Sequence, residues 1–448
     1  MSRLELAVRP PTALATSLAK LESLVSAYVG IVRGAEEVLA GPDDILAPSI
    51  VCQTGHCGGL VGGGGEHRGA GAGPTLAAAR AAALGEAVER YSACCADPAD
   101  AIVATARELG AEAADPCRFA LFADEQYAEP GFPYDRFTPD TPVAWVHGWR
   151  LPEGEPAYLP AQLVYLAWPR RPHEACIGRS TSNGLACHAT LEEATLTGLL
   201  ELIERDAFMI TWTAALSWPL LSWGVDPTLT AFEHRFLAST GLRVAAVDLS
   251  AVWGVPVVLG VARSNAANEA PFGVGAGAAA TVQRAVEKAL DEAVRVRSWA
   301  RSIRHADPAG TLVLPADEIR DFDEHIRYYA YDGPAPRTSF LDASEERRDT
   351  ADVPPLEGGS LRAQIDALCN RLERQHASAY VVDVTSPDVA DAGLCVVKVI
   401  APELCPLDVE HRARLLGSRR LYEVPARLGM RPRRLRFDEL NADPHPFP

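Results

Sequence analysis

The stretch Glu193 to Asp206, EATLTGLLELIERD, limits what this chain can fold into more than any other. Read as a helix, it places Glu193, Thr197, Glu201 and Glu204 at i, i+4, i+8 and i+11. At about 100° per residue these four fall within roughly 80° of one another. Leu196, Leu199, Leu200, Leu202 and Ile203 occupy the remaining sides. The pattern predicts a largely buried helix with three carboxylates in line. Burying carboxylates without partners is costly, and two of them about 4 Å apart repel by roughly 4 kcal/mol at an effective dielectric of about 20. An arginine, a lysine or a metal ion must therefore face this helix.

The same letters recur upstream. Glu86, Glu89 and Arg90 (EAVERYSA) match Glu201, Glu204 and Arg205 (ELIERDAF) at one constant offset. Each copy follows a glycine-containing turn, GAGPT at 71–75 and SNGLA at 182–186. A third candidate helix, Gln283 to Trp299, carries Lys288 and Glu292 as i, i+4 neighbours. One E-x-x-E-R is an ordinary surface pattern of i, i+3 and i, i+4 pairs. Two copies in apolar helices and a third acidic helix predict buried acidic faces that meet at one site.

The 448 residues suffice for one large domain or two or three average ones. Apolar content of 48% and charged content of 23% are those of a globular protein with a sizeable core. A net charge of −17 without a basic tract argues against nucleic-acid binding. No apolar run approaches the roughly 20 residues of a membrane span, and the N-terminus lacks the apolar core of a signal peptide, which predicts a cytoplasmic protein. The ten cysteines form no C-x-x-C pair. Cys52, His56 and Cys57 cluster, but reduced structural cysteines are the expected reading.

Along the chain, an amphipathic helix is expected within SLAKLESLVSAYV, then a strand in GIVRGAEEVL. The glycine-rich 49–75 region contains no P-loop and is expected to be a mobile loop. Residues 75–95 are helical by propensity. PVAWVHGW (142–149) and LVYLAW (163–168) read as strands, as do VAAVDLS (244–250) and VPVVLGVAR (255–263). GVGAGAAA (273–280) superficially fits a dinucleotide fingerprint, but one long helix follows without the acidic residue that ends a second strand. Residues 305–358 read as a variable connection. A helix at 360–375, strands at 379–385 and 394–402 and a helical region near 408–428 complete an α/β or α+β fold with a mixed sheet.

The segments AALGEAVERYSA (82–93), STSNGLACHATLEEATLTGLLELIERDAF (180–208), AVEKALDEAVRVR (285–297), YVVDVTSPDVADAGLCVVKVIAPELCPL (380–407) and LLGSRRLYEVP (415–425) together resemble the YcaO family. The resemblance implies a domain over 65–430, preceded by an N-terminal region (1–64) and followed by a tail (431–448). It implies acidic helices that converge on ATP and Mg2+ beside a mixed sheet. Glu86, Glu89, Glu201, Glu204 and Glu292 match the family's metal- and phosphate-site acids. Glu193 matches a further nucleotide-site acid, and Arg90, Arg205 and Lys288 match basic positions. Hard carboxylate oxygens suit Mg2+, and cations pair phosphate or brace a glutamate. Ala72, Ala82, His188-Ala189, Thr197 and Lys288 stand where the family often has other residues.

The ending P-x-P-x-P, Pro444, Pro446 and Pro448, resembles that of azoline-forming cyclodehydratases of ribosomal peptide natural products. Such prolines stiffen a chain into an extended rod. The implied reaction is ATP-dependent cyclodehydration of Cys, Ser or Thr in a precursor peptide to thiazoline or oxazoline. Thioamide formation and a non-catalytic scaffold subunit are the alternatives. His188 and the carboxylate of Pro448 are the candidates for proton transfer. With no leader-binding domain recognisable in the chain, an E1-like or ThiF-like partner is expected to present the precursor, and a homodimer is a candidate assembly.

Overall fold

The computed structural model describes residues 2–41, 43–55, 68–266 and 269–447. The chain divides into two units interleaved along the sequence. One comprises Met1–Leu39, Ala47–Leu202 and Glu357–Leu404; the other comprises Ala40–Leu46, Ile203–Leu356 and Cys405–Pro448. The boundary after Leu202 falls inside a continuous helix, Leu191–Thr213.

In the first unit β1 (Val32–Glu37), β2 (Ser49–Thr54) and β3 (Arg68–Ala72) form an antiparallel sheet in that order. A second antiparallel sheet runs β4 (Ile102–Ala104), β5 (Val143–Leu151), β13 (Ala379–Asp383), β14 (Cys395–Ile400) and β7 (Leu185–His188), with β6 (Glu155–Pro160) paired to β5. The alanine-rich helix Leu76–Ser92 packs on β2 and β3 and also meets β7. Alanine favours helix, and the Thr75 hydroxyl caps this one by accepting the Ala78 N–H. Ala83, Ala87 and Val88 of the helix, Ile50 of β2 and Val382 and Val396 of the second sheet share one core.

The second unit has a mixed sheet in the order β11 (Phe272–Ala278), β10 (Val257–Arg263), β9 (Arg243–Asp248), β8 (Leu220–Ser222), β12 (Arg347–Asp349). Only the β8–β12 pair is parallel. The helix Val282–Ala306, capped by Thr281, lies along β10 and β11. Asp206, fully buried, accepts Trp253 Nε1 (2.9 Å), Cys405 N (3.0 Å) and a bidentate pair from Arg420. Arg420 also lies over the Trp253 ring. This buried charge has the partners it needs, so removing one of them costs more than the pair contributes.

Four expectations need correction. Residues 49–54 and 68–72 of the glycine-rich region are paired strands rather than loop; residues 56–67, with His56 and Cys57, lie outside the described residues. The glycines of β3 serve close packing: a Cβ on Gly71 would lie 2.1 Å from Ala83 N, and one on Gly69 2.3 Å from Ala83 O. LVYLAW is not a strand. After Pro160 the chain winds a single turn, Ala161–Val164, and the Ser180 hydroxyl donates to the Leu163 and Val164 carbonyls. The first helix, Leu14–Glu22, begins and ends earlier than expected. The supposed connection at 305–358 contains the helix Phe322–Tyr329 and strand β12.

Gly71→Ala should lower stability by roughly 1–3 kcal/mol, the usual cost of overpacking. Gly34→Ala, with open space at its Cβ, should change it little. Urea unfolding should show this as a shift in midpoint at constant slope.

Candidate active site

In the first unit, Glu86 is strapped to β3. It accepts Ala70 N (2.6 Å) and pairs with Arg90 (2.5 Å), whose other nitrogen donates to Arg68 O (2.6 Å). One turn further on, Glu89 is held well above the usual carboxylate range, by burial first and then by the charges of Glu201 and Glu86; Arg90 and Lys398 oppose this. Lys398 is buried on β14. It donates to the carbonyls of Thr181 (2.6 Å) and Asn183 (2.7 Å). Burial lowers it to about 8, against the pull of Glu201 and Glu89. Glu86, Glu89, Arg90 and Glu201 thus act on one another, together with a lysine that the sequence reading passed over.

The second unit holds the matching set. Glu204, 3% exposed, accepts Ala278 N (2.7 Å) and faces Lys288 Nζ (3.4 Å) and Arg205 (3.6 Å). Burial is the largest influence on its carboxyl and raises it, yet Lys288, Arg205 and the Ala278 amide together bring it below the ordinary value. Glu292 accepts Ala276 N (2.7 Å). Burial, aided by Glu204, raises it to about 7 against Arg205, the Ala276 amide and Lys288.

The two sets share a local design. In each, a small-residue strand leads to a threonine that caps a helix, and a glutamate follows eleven residues after that threonine. The pairs are Thr75 with Glu86 and Thr281 with Glu292. Thr190 with Glu201 repeats the spacing, after β7 and at the head of the helix Leu191–Thr213. Thr190 caps by accepting Glu193 N (3.3 Å). In the first and last copies the glutamate returns to an amide of the preceding strand. Strand glycines permit this approach in two copies. In the middle copy the small residue is on the helix: a Cβ on Gly198 would sit 2.8 Å from Gly184 O. The G-A-G-A spelling shared by 69–72 and 275–278 is the sequence signal for the third copy.

Other expected site residues are engaged elsewhere. The Glu193 carboxylate accepts Thr12 N (2.5 Å), Thr12 Oγ1 (2.9 Å) and Thr190 Oγ1 (3.0 Å), which ties down the N-terminal segment. His188 Nε2 lies 2.9 Å from Thr197 Oγ1, and burial lowers its pKa. Pro448 lies outside the described residues. The residues before it are buried in the second unit. Pro444 O accepts the Tyr329 hydroxyl (2.6 Å), and the fully buried Phe447 packs on Phe208 under the Arg205 guanidinium, 4.2 Å from its ring centre. Ring packing and hydrogen bonds hold this segment in place.

The model of the family described as YcaO cyclodehydratase, ATP- and Mg2+-binding, matches residues 70–405, and the chain belongs to that family. A curated protein from Methanothermobacter thermautotrophicus, itself uncharacterized, is 30% identical over 360 residues, which are 78% of this chain and 85% of that protein. A solved heterocyclase in complex with substrate and cofactor superposes with a TM-score of 0.82 at 25% identity, covering 100% of this chain and 59% of that one. The heterocyclase TruD gives 0.71 at 25% identity, covering 100% and 56%. This chain therefore spans less than two thirds of either heterocyclase. YcaO from Methanopyrus kandleri, bound with AMPPCP and Mg2+, shares the fold with a TM-score of 0.60 at 21% identity, covering 90% of this chain and 95% of that one.

ATP and Mg2+ are the family's cofactors, and the residues fit them. The donors are hard carboxylate oxygens, which suit Mg2+. In the first unit Glu86, Glu89 and Glu201 outnumber the cations Arg90 and Lys398 that act on Glu89. A divalent ion would relieve that excess.

The raised Glu292 carries a sign that can be tested in metal-free protein. Its folded value, about 7, exceeds the ordinary carboxylate value of 4.5. Its contribution to stability is therefore complete below the unfolded value and lost as pH rises through the folded one. The melting temperature of metal-free protein should fall across that window, and Glu292→Gln should flatten the fall. An unchanged slope in the variant would contradict the assignment.

Proposed function

We propose that the chain is an ATP-dependent cyclodehydratase of ribosomally made peptides. The reading rests on one observation above the others: in each unit a glutamate eleven residues after a helix-capping threonine accepts an amide of the preceding strand, Glu86 from Ala70 and Glu292 from Ala276, with a lysine and an arginine acting on the carboxylates around it. It is a rigid, charge-dense arrangement of the kind that suits Mg2+ and phosphate.

Glu86, Glu89 and Glu201 in the first unit, and Glu204 and Glu292 in the second, would supply metal ligands. Arg90, Arg205 and Lys288 would pair phosphate oxygens or brace the glutamates. When bound, Mg2+ supplies neutralisation of phosphate charge. In the reaction a Cys thiol, or a Ser or Thr hydroxyl, adds to the preceding amide carbonyl. The C–S or C–O bond forms and the attacking group loses its proton. The former carbonyl oxygen takes the terminal phosphoryl group of ATP and leaves as phosphate. The nitrogen gives up its proton as C=N forms, so that peptide and ATP yield azoline, ADP and phosphate. The protein's part is positioning and electrostatic stabilisation. An E1-like or ThiF-like partner would bind the leader of the precursor and present its core.

The test combines the chain, the precursor peptide and the partner with Mg2+ and ATP. Peptide-dependent release of ADP and phosphate should accompany the loss of one water mass per ring. Glu201→Ala should lower this rate by roughly 100-fold or more, the scale of losing a charge-stabilising group. ATP use with sulfur-for-oxygen exchange when sulfide is supplied would mean thioamide formation instead. Absence of ATP binding in the complete system would leave a non-catalytic subunit.

A further inference from the structure

One side chain of the segment before Pro448 meets the second-unit acids through another residue. Arg205 and Phe208 stand at i, i+3 on one face of the helix Leu191–Thr213. The Phe447 ring packs on Phe208 with centres 4.8 Å apart, and the Arg205 guanidinium lies over that same ring, 4.2 Å from its centre. Phe447 is fully buried and the Arg205 side chain is 14% exposed, so the contact is made largely out of water. A guanidinium over an aromatic face is attracted by the ring quadrupole, most strongly where both are desolvated.

The ring is a platform whose place does not depend on Arg205. Pro444 O accepts the Tyr329 hydroxyl, and His445 stacks on His325 with ring centres 4.1 Å apart. His445 Nε2 lies 2.7 Å from the Asp408 backbone carbonyl, and Phe447 N donates to His445 Nδ1 (3.3 Å). Pro446 fixes a backbone angle next to the ring. Arg205, by contrast, is a long side chain with many rotamers to lose, and its position decides local charge. Its Nη2 lies 3.6 Å from Glu204 Oε1, and among the cations acting on Glu292 it comes ahead of Lys288. Stacking engages the face of the guanidinium. The N–H groups lie in its plane, so they point along the edge where carboxylates and phosphates are met.

We propose that Phe447 is a positioning residue: its ring face holds the Arg205 guanidinium in the orientation that serves Glu204, Glu292 and the phosphate of a bound nucleotide. The proposal rests on the reading of the second-unit acids as part of a metal–nucleotide site. It gives the P-x-P-x-P ending a task carried by the side chain between Pro446 and Pro448, apart from the stiffness of the prolines. A leucine at 447 would fill much of the same space but would lack the negative ring face, so positioning can be told from packing.

The experiment uses the full chain with Mg2+ and AMPPCP, and replaces Phe447 by phenylalanines that carry successively more ring fluorines. Fluorine draws density from the ring face and changes its volume little, so a packing role alone would not respond. Affinity for AMPPCP should fall with each added fluorine. Phe447→Leu should weaken it by roughly 2- to 30-fold, the span of a cation–π contact from exposed to desolvated. In Arg205→Gln the fluorinated series should be flat, since a double-mutant cycle isolates the pair. The guanidinium protons of Arg205 should show an upfield ring-current shift in nucleotide-free protein and lose it in Phe447→Leu. The proposal is overturned by equal affinity across the fluorinated series, by a fall of the same size in Arg205→Gln, or by the lack of that shift in the unsubstituted chain. Failure of the unsubstituted chain to bind AMPPCP would overturn the nucleotide-site reading together with it.

Discussion

A carboxylate removed from water needs a donor or a cation, and this structure meets that need first with backbone. Glu204 takes the Ala278 amide and Glu292 the Ala276 amide, and the half-exposed Glu86 takes the Ala70 amide in the same way. Each bond fixes a side chain before any ligand is present, and preorganisation of this kind is what electrostatic catalysis depends on. It requires helix and strand to approach so closely that no Cβ fits between them. That is why Gly69 and Gly71 face Ala83, and why Gly275 and Gly277 face Ala289 and Ala285. The amide bonds do not complete the compensation. Glu89 and Glu292 remain raised despite nearby cations, which leaves negative charge for the proposed Mg2+ to offset.

Much of this was legible in the letters. The apolar helix bearing Glu201 and Glu204 is observed as Leu191–Thr213, because five aliphatic residues around three carboxylates suit no other periodicity. Glu86, Glu89 and Arg90 came from the repeat of E-x-x-E-R, and they share the electrostatic neighbourhood of Glu201. Lys398 escaped because a single lysine within a valine-rich strand gives no periodic signal, and its importance arises only when β14 pairs with β7. The glycine-rich region misled for a related reason. Glycine signals either freedom or close approach, and only the packing of β3 on its helix decides between them.

The segment from Pro444 to Phe447 shows a different limit. Its alternating prolines suggested a stiff rod, and stiffness says nothing about where a segment docks. The structure buries it through Tyr329, Phe208 and the ring of His325, on which His445 stacks. Glu193 had the opposite outcome. It sits in line with the site acids on the helical wheel, yet its oxygens are occupied by Thr12 and Thr190. A shared helix face places residues together without assigning them one ligand.

The central claim is that the repeated glutamates bind a metal–nucleotide complex. Anomalous diffraction from crystals grown with Mn2+ and a non-hydrolysable ATP analogue tests it most directly. The account predicts manganese peaks in direct coordination with carboxylate oxygens of the set Glu86, Glu89, Glu201, Glu204 and Glu292, bridged to the analogue's phosphates. Manganese and nucleotide bound elsewhere, with these glutamates still paired only to strand amides and to their lysine and arginine neighbours, would contradict it.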